Sequence, residues 1–129
     1  MADVRIGIAG AGGRMGTTLI RETCATAGCR LVAACERPGS PAVGRDVGDL
    51  AGLGALGVSV TESPEGLFRA AEVVIDFTAA EATAAHALLA ARHGVALVVG
   101  TTGLSDAHEA TLADAARRVA IVRAANFSI

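Results

Sequence analysis

The sequence contains no lysine, no tryptophan and no tyrosine. Without lysine the chain cannot form a Schiff base, set an ammonium against a phosphate as a Walker-type loop does, or use a lysine as a proton donor. All 11 basic residues are arginines, and apart from Arg117-Arg118 they stand singly. The aromatic complement is Phe68, Phe77 and Phe127. The chain therefore lacks both the basic patch and the stacking platform of a nucleic-acid surface. Its three cysteines, Cys24, Cys29 and Cys35, include no C-x-x-C pair and no spacing to His86, His93 or His108 that would hold zinc. They read as reduced, partly buried small apolar residues on a helix, a connection and a strand, and no metal is expected. Long apolar runs are also missing. None approaches the ~20 residues needed to cross a bilayer, and Met1-Ala2-Asp3 leads into the first strand with no basic or cleavable apolar segment. Neither a membrane span nor a secretory signal is expected, and the cytoplasm is the expected compartment.

What is present is a single-domain length of 129 residues, 52% apolar, with a net charge of −2. The chain is organised around Val4-Arg5-Ile6-Gly7-Ile8-Ala9-Gly10-Ala11-Gly12-Gly13-Arg14-Met15-Gly16. An apolar run, a glycine cluster and then Thr17-Thr18-Leu19-Ile20 read as strand, tight turn and helix. Glycine lets the backbone approach a ligand closely, and the free amides of a helix start favour a phosphate. The spacing departs from G-x-G-x-x-G, because Met15 stands where the third glycine would be; Gly10-x-x-Gly13-x-x-Gly16, with Gly12 in addition, is compatible with a dinucleotide pyrophosphate. The alternative is a strand-to-helix turn that binds nothing.

A helix over about 14–27, with Gly28 as its cap, leads to a strand at 31–35 that ends on Glu36. An acid there is suited to accept from an adenosine ribose. Arg37 follows, and its guanidinium could pair with a 2′-phosphate or be an ordinary loop arginine; Glu36-Arg37 predicts tolerance of both NADH and NADPH. Residues 38–57 form a long Gly/Pro/Ala-rich excursion. A short strand at 58–60 and a helix capped by Ser63, with Pro64 at its first position, come next. Val73-Val74-Ile75-Asp76-Phe77-Thr78 reads as a buried strand ending in an acid, an aromatic and a hydroxyl, with Asp76 either facing a ligand or capping a helix. An alanine-rich helix over about 79–92 carries His86 and His93, read as surface or packing residues. After strand 96–99, Gly100-Thr101-Thr102-Gly103 offers two hydroxyls, either to a nicotinamide ribose or carboxamide or as caps for a helix starting near Ser105. That helix runs to about 118, and a last strand covers 119–122. Six strands alternating with helices predict a Rossmann-type, doubly wound parallel α/β sheet.

The motifs Gly10-Ala11-Gly12-Gly13-Arg14-Met15-Gly16, Glu36-Arg37-x-Gly39-Ser40, Ile75-Asp76-Phe77-Thr78, Gly100-Thr101-Thr102-Gly103 and Ala124-Ala125-Asn126-Phe127-Ser128, in that order, resemble the 4-hydroxy-tetrahydrodipicolinate (dihydrodipicolinate) reductase family of lysine and diaminopimelate biosynthesis. The resemblance covers essentially the whole chain. It implies that Gly10, Ala11, Gly12, Gly13, Arg14 and Met15 bind the pyrophosphate of NADH or NADPH, and that Glu36 and Arg37 contact the adenosine ribose or its 2′-phosphate. It further implies that Phe77 and Thr78 lie beside the cofactor, and that Gly100, Thr101 and Thr102 with Ala124, Ala125, Asn126 and Phe127 line the nicotinamide end. Some members carry a basic residue just after the Phe-Thr pair; here Ala79 and Ala80 follow, which weakens the case for NADPH preference. In the family a second domain, beginning after Asn-Phe-Ser, binds the dicarboxylate substrate, supplies the catalytic groups and builds a tetramer. That domain is not in this sequence, so residues 1–129 are expected to be the cofactor-binding domain and to carry no catalytic residue. A non-catalytic nucleotide-binding or redox-sensing module and a CoA-binding Rossmann domain are the alternatives.

Overall fold

The computed structural model of the chain describes residues 2–124. Strands β1 (Val4–Ala9), β2 (Cys29–Cys35), β3 (Val60–Thr61), β4 (Val73–Asp76), β5 (Ala96–Val99) and β6 (Ile121–Arg123) alternate with helices α1 (Arg14–Ala25), α2 (Val47–Leu50), α3 (Pro64–Ala70), α4 (Ala80–His93) and α5 (Asp106–Ala115). The strands form one sheet in the order β3-β2-β1-β4-β5-β6, every neighbouring pair parallel. The expected doubly wound α/β sheet is therefore observed. The chain winds outward from β1 through β2 to β3, then returns to the other side of β1 to lay down β4, β5 and β6. Direction reverses between β1 and β4, and open α/β sheets bind ligands at such a reversal.

Strand alternation sends successive side chains to opposite faces, and this sorts the core into two layers. Ile6 and Ile8 of β1 pack with Leu31, Ala34 and Val60 against Ile20 of α1 and Val47 and Ala51 of the α2 region. Ala9, Val74, Leu97 and Val99 face the other way, onto Leu67 and Phe68 of α3, Ala87 and Ala90 of α4, and Leu112 and Ala115 of α5. Gly7 belongs to this second face: a Cβ there would lie 2.8 Å from the Leu67 side chain. The same alternation puts Asp76 on the α4 side, two residues beyond Val74.

Helix ends follow local chemistry where that chemistry is strong. Ser63 caps α3 through the Gly66 amide, with Pro64 in the first turn, and Gly94 closes α4 at φ +68°. Ser105 and His108 form a reciprocal capping box at the start of α5. Three boundaries differ from expectation. α1 stops at Ala25 because Thr26 turns extended and bonds back, its amide to the Thr23 carbonyl and its hydroxyl to that of Glu22; Gly28, at φ +87°, turns the chain into β2, which already begins at Cys29. The turn after α5 consumes residues 117–119, so β6 begins at Ile121.

The third difference is the excursion over 38–57, which is a folded edge unit. Asp46 Oδ1 accepts from the amides of Gly48 and Leu56, and Oδ2 from that of Gly57, closing the loop on itself. Val47 N–H donates to the Val58 carbonyl and Val60 N–H to that of Arg45, which leaves β3 only two residues long. The Leu56 amide, with those of Gly57 and Gly48, holds the Asp46 carboxyl below its ordinary value.

Phe68 is 1% exposed in the α3–α5 layer, whereas Leu88 on α4 is 55% exposed. Phe68→Ala is expected to cost about 3–5 kcal/mol, and Leu88→Ala less than about 0.5 kcal/mol. Urea denaturation of the two variants checks the assignment of the faces.

Candidate functional site

The loop leaving β1 is shaped by contacts that leave no room for a side chain. Gly10 sits at φ +90°, and a Cβ there would approach the Phe77 carbonyl oxygen to 2.7 Å. At Gly12 a Cβ would stand 2.7 Å from that of Ala42. Gly16, in the first turn of α1, packs directly on the Gly10 carbonyl and on Ala11, so a Cβ there has no space. Gly13 differs: its Cβ would meet only the Gly10 oxygen, at 3.7 Å. Gly16 thus serves the strand–helix packing that the third glycine of a G-x-G-x-x-G loop provides, one position later than in that spacing.

Two helices start at this loop cluster without a side chain on their first amides. Gly13 precedes α1 and Ala79 precedes α4, and neither helix has a side-chain cap, while α2, α3 and α5 are capped by Asp46, Ser63 and Ser105. The cap position of α4 is Ala79, which has no side-chain acceptor, and the Thr78 hydroxyl just before it donates to Asp76 Oδ1 at 2.6 Å. Gly13 and Ala79 both line one cleft of about 420 Å³ at the carboxyl ends of β1, β2 and β4. Two uncapped helix starts opening on one cavity favour an anion there.

The same cleft gathers Gly10, Glu36, Arg37, Phe77 and Thr78. Glu36 is fixed at its rim: Oε2 accepts from the Gly12 amide and Oε1 from that of Arg37, each at 2.9 Å. The guanidinium of Arg37 forms no ion pair among the described residues, and Arg37 is exposed. Cys35 lies on the cleft floor, 3% exposed, and burial first, then the charges of Asp76 and Glu36, push its thiol up to about 12.

Behind the cleft lies a buried polar network that the sequence reading did not assemble. Asp76 is fully buried; its Oδ1 accepts from the Thr78 amide at 3.0 Å as well as the Thr78 hydroxyl, and its Oδ2 lies 2.7 Å from His86 Nδ1. Asp76 is accordingly neither a helix cap nor a rim ligand. His86, 5% exposed, is buried as a polar partner of Asp76 and stands with Ala79 and Ala82 on the α4 face that lines the cleft. The spacing Ala79, Ala82, His86, one side of a helix, is the signal that could have marked it. Thr101 joins the network. Its hydroxyl accepts from Thr83 Oγ1 at 2.8 Å and from the Thr78 amide at 3.2 Å, so it neither caps α5 nor faces outward.

The other expected residues within the described range do not line this cleft. Gly100 packs against the Phe77 ring, and a Cβ at Gly100 would overlap it. Thr102 is exposed, and the Ala124 amide donates to the Val99 carbonyl at 2.9 Å, which sets the end of β6 beside the β5 loop. Arg14 and Met15 form the first turn of α1, and Ala11 is buried beneath it. Ala125, Asn126 and Phe127 lie outside the described residues.

This loop pattern matches the family described as "Dihydrodipicolinate reductase, N-terminus" over residues 4–127. The chain belongs to that family. A 4-hydroxy-tetrahydrodipicolinate reductase of Acinetobacter baumannii is 52% identical over 128 residues, covering 99% of this chain and 46% of the relative. The family's chain here thus spans about half the length of the curated relatives it matches. Among solved structures, a dipicolinate-bound dihydrodipicolinate reductase from Paenisporosarcina sp. TG-14 superposes with a TM-score of 0.75 at 25% identity, covering 97% of this chain and 48% of the other. GenD2 of gentamicin A biosynthesis, solved in complex with NAD, shares the fold with a TM-score of 0.76 at 24% identity, covering 98% of this chain and 36% of the other. Among the described residues no helix is long and apolar enough to cross a membrane, and no group of three or more metal-ligating side chains occurs.

The Cys35 thiol gives the cleft floor a measurable signature. The unfolded thiol ionises near 9.0 and the folded one near 12, so the native state retains the proton that the unfolded chain releases. Stability from this group is complete below pH 9.0 and declines as pH rises toward about 12, with a slope of about 1.4 kcal/mol per pH unit. No lysine or tyrosine titrates in that window. Urea unfolding of wild type and Cys35→Ala over this range should give the slope in the first and its loss in the second. Separately, Gly16→Ala is expected to lower stability by about 1–3 kcal/mol or more through overpacking. Gly13→Ala should be tolerated, and melting curves distinguish the two.

Proposed function

We propose that residues 1–129 are the cofactor-binding domain of a 4-hydroxy-tetrahydrodipicolinate reductase. The reaction is hydride transfer from NADH or NADPH to 4-hydroxy-tetrahydrodipicolinate, giving tetrahydrodipicolinate in lysine and diaminopimelate biosynthesis. The observation that carries the reading is the pair of uncapped helix starts, α1 and α4, opening on one cleft at the β1–β4 reversal beside glycines that admit no Cβ. When bound there, the nicotinamide supplies the hydride.

In this reading Gly10–Met15 hold the pyrophosphate through amides at the start of α1. Glu36, already fixed by two amides, accepts from the adenosine ribose, and Arg37 pairs with a 2′-phosphate when one is present. Phe77 and Thr78 divide the cleft from the Gly100–Thr102 side, which with Ala124–Phe127 receives the nicotinamide. The dicarboxylate substrate and the proton donor are met by the family's second domain, a reading supported by this chain spanning 46% of the Acinetobacter relative.

Fluorescence titration of the 129-residue polypeptide with NADH and NADPH tests this. Both are expected to bind, and Arg37→Ala should weaken NADPH roughly tenfold while changing NADH little. Binding of CoA without binding of either dinucleotide would overturn the cofactor assignment. Turnover of 4-hydroxy-tetrahydrodipicolinate by this polypeptide alone would overturn the placement of the substrate-binding and protonating groups elsewhere.

A further inference from the structure

A threonine in a helix commonly returns its hydroxyl to a carbonyl one turn back. Thr17 and Thr18 do so onto Arg14, and Thr111 onto Ala107. Thr83, fully buried in α4, sends its hydroxyl across to another segment, where Oγ1 donates to Thr101 Oγ1 at 2.8 Å. Counting protons shows that this is the firm bond on Thr101. The Thr78 hydroxyl has one proton, and the 2.6 Å contact to Asp76 Oδ1 takes it. The Thr78 amide is divided between Asp76 Oδ1 at 3.0 Å and Thr101 Oγ1 at 3.2 Å, and the Thr101 hydroxyl donates to the Thr78 carbonyl at 3.4 Å. Against those longer contacts, the Thr83 bond is short and undivided.

Thr101 belongs to the loop that follows β5, and its neighbours are held differently. The Gly100 amide donates to the Asp76 carbonyl at 2.9 Å, and the Phe77 ring lies where a Cβ of Gly100 would go. Thr101 is buried and tied through its hydroxyl, while Thr102 beside it is exposed. Main-chain bonding therefore places the start of this loop, and a side chain of α4 places its second residue. We infer that Thr83 is a positioning residue for the nicotinamide end of the cofactor: its hydroxyl, acting through Thr101, holds the Gly100–Thr102 loop in the shape that receives the ring. The inference rests on the cofactor reading above. A packing role at this position asks for volume, and a positioning role asks for the donor. Valine matches threonine in shape but leaves Thr101 Oγ1 without that donor; serine keeps the donor and gives up a methyl group.

The test is calorimetric titration of the 129-residue polypeptide as wild type, Thr83→Val and Thr83→Ser. The ligands are NADH and ADP-ribose, which carries the adenosine, the pyrophosphate and the second ribose but no nicotinamide. Wild type is expected to bind NADH about fivefold or more tightly than ADP-ribose. In Thr83→Val that preference should fall to within about twofold through loss of NADH affinity, with ADP-ribose little changed; in Thr83→Ser it should persist. A preference unchanged in Thr83→Val overturns the inference, as does equal weakening of both ligands, which a purely structural role produces. A preference lost in both variants overturns it as well, because the methyl group would then be what matters. Wild type that binds the two ligands equally overturns it with no variant needing to fold, and leaves the dinucleotide assignment of the cleft standing. Wild type that binds neither ligand overturns the cofactor reading itself.

Discussion

A carboxylate without solvent exposure stands at the end of the fourth strand, and much of the molecule is arranged to satisfy it. Burying a carboxylate costs several kcal/mol unless its oxygens are well bonded. Asp76 meets that demand with a main-chain amide, a hydroxyl and an imidazole, drawn from the loop after β4 and from the second turn of α4. Each donor carries a consequence. The Thr78 hydroxyl ties the residue just before the Ala79 cap position of α4 to the acid. The Thr78 amide is shared with Thr101, which ties the β4 loop to the β5 loop. The imidazole fixes α4 in rotation, so that Ala79, Ala82 and His86 share one face.

The cleft is thus a by-product of where polar groups are spent. Elsewhere the chain satisfies its helix starts at once, with Asp46, Ser63 and Ser105. At α1 no side chain is available, because Gly13 has none and Gly16 must remain bare for the helix to sit on Gly10. At α4 the cap position is Ala79, which likewise offers no side-chain acceptor. The two partial positive ends consequently open on a single cavity, which Pro38, Pro64 and Ala82 also line, and a ligand with an anionic group and apolar faces matches that lining.

Much of this was legible in the sequence, for reasons that are local. Ser63-Pro64, Gly94 and the run Ala96–Val99 carry their structure in adjacent residues, so the elements they bound fall where expected. The four motif segments within the described residues were likewise readable as strand-end loops, and parallel pairing brings Gly10, Glu36 and Phe77 to one edge because each follows the end of a neighbouring strand. What escaped was non-local. The folding of 38–57 depends on Asp46 reaching amides of Leu56 and Gly57 across the loop, a bond no propensity encodes. His86 has no distinguishing neighbour in an alanine-rich helix; its role comes from the strand-end acid it meets. The glycines of the first loop look alike in sequence, yet Gly13 has room for a methyl group and Gly16 has none.

The two flanks of the sheet have a bearing on self-association. An unpaired edge strand is a template on which another chain can lay a strand, and the risk grows with its length and flatness. β3 is two residues long and is hemmed by the antiparallel bridge between Asp46 and Ser59. β6 is three residues long and ends on Arg123, which is paired with Glu109 of α5. Among the described residues neither outermost strand exceeds three residues, and β6 carries a fixed charge pair. Short outer strands lower the templating risk for a chain whose mean hydropathy is as high as +0.50.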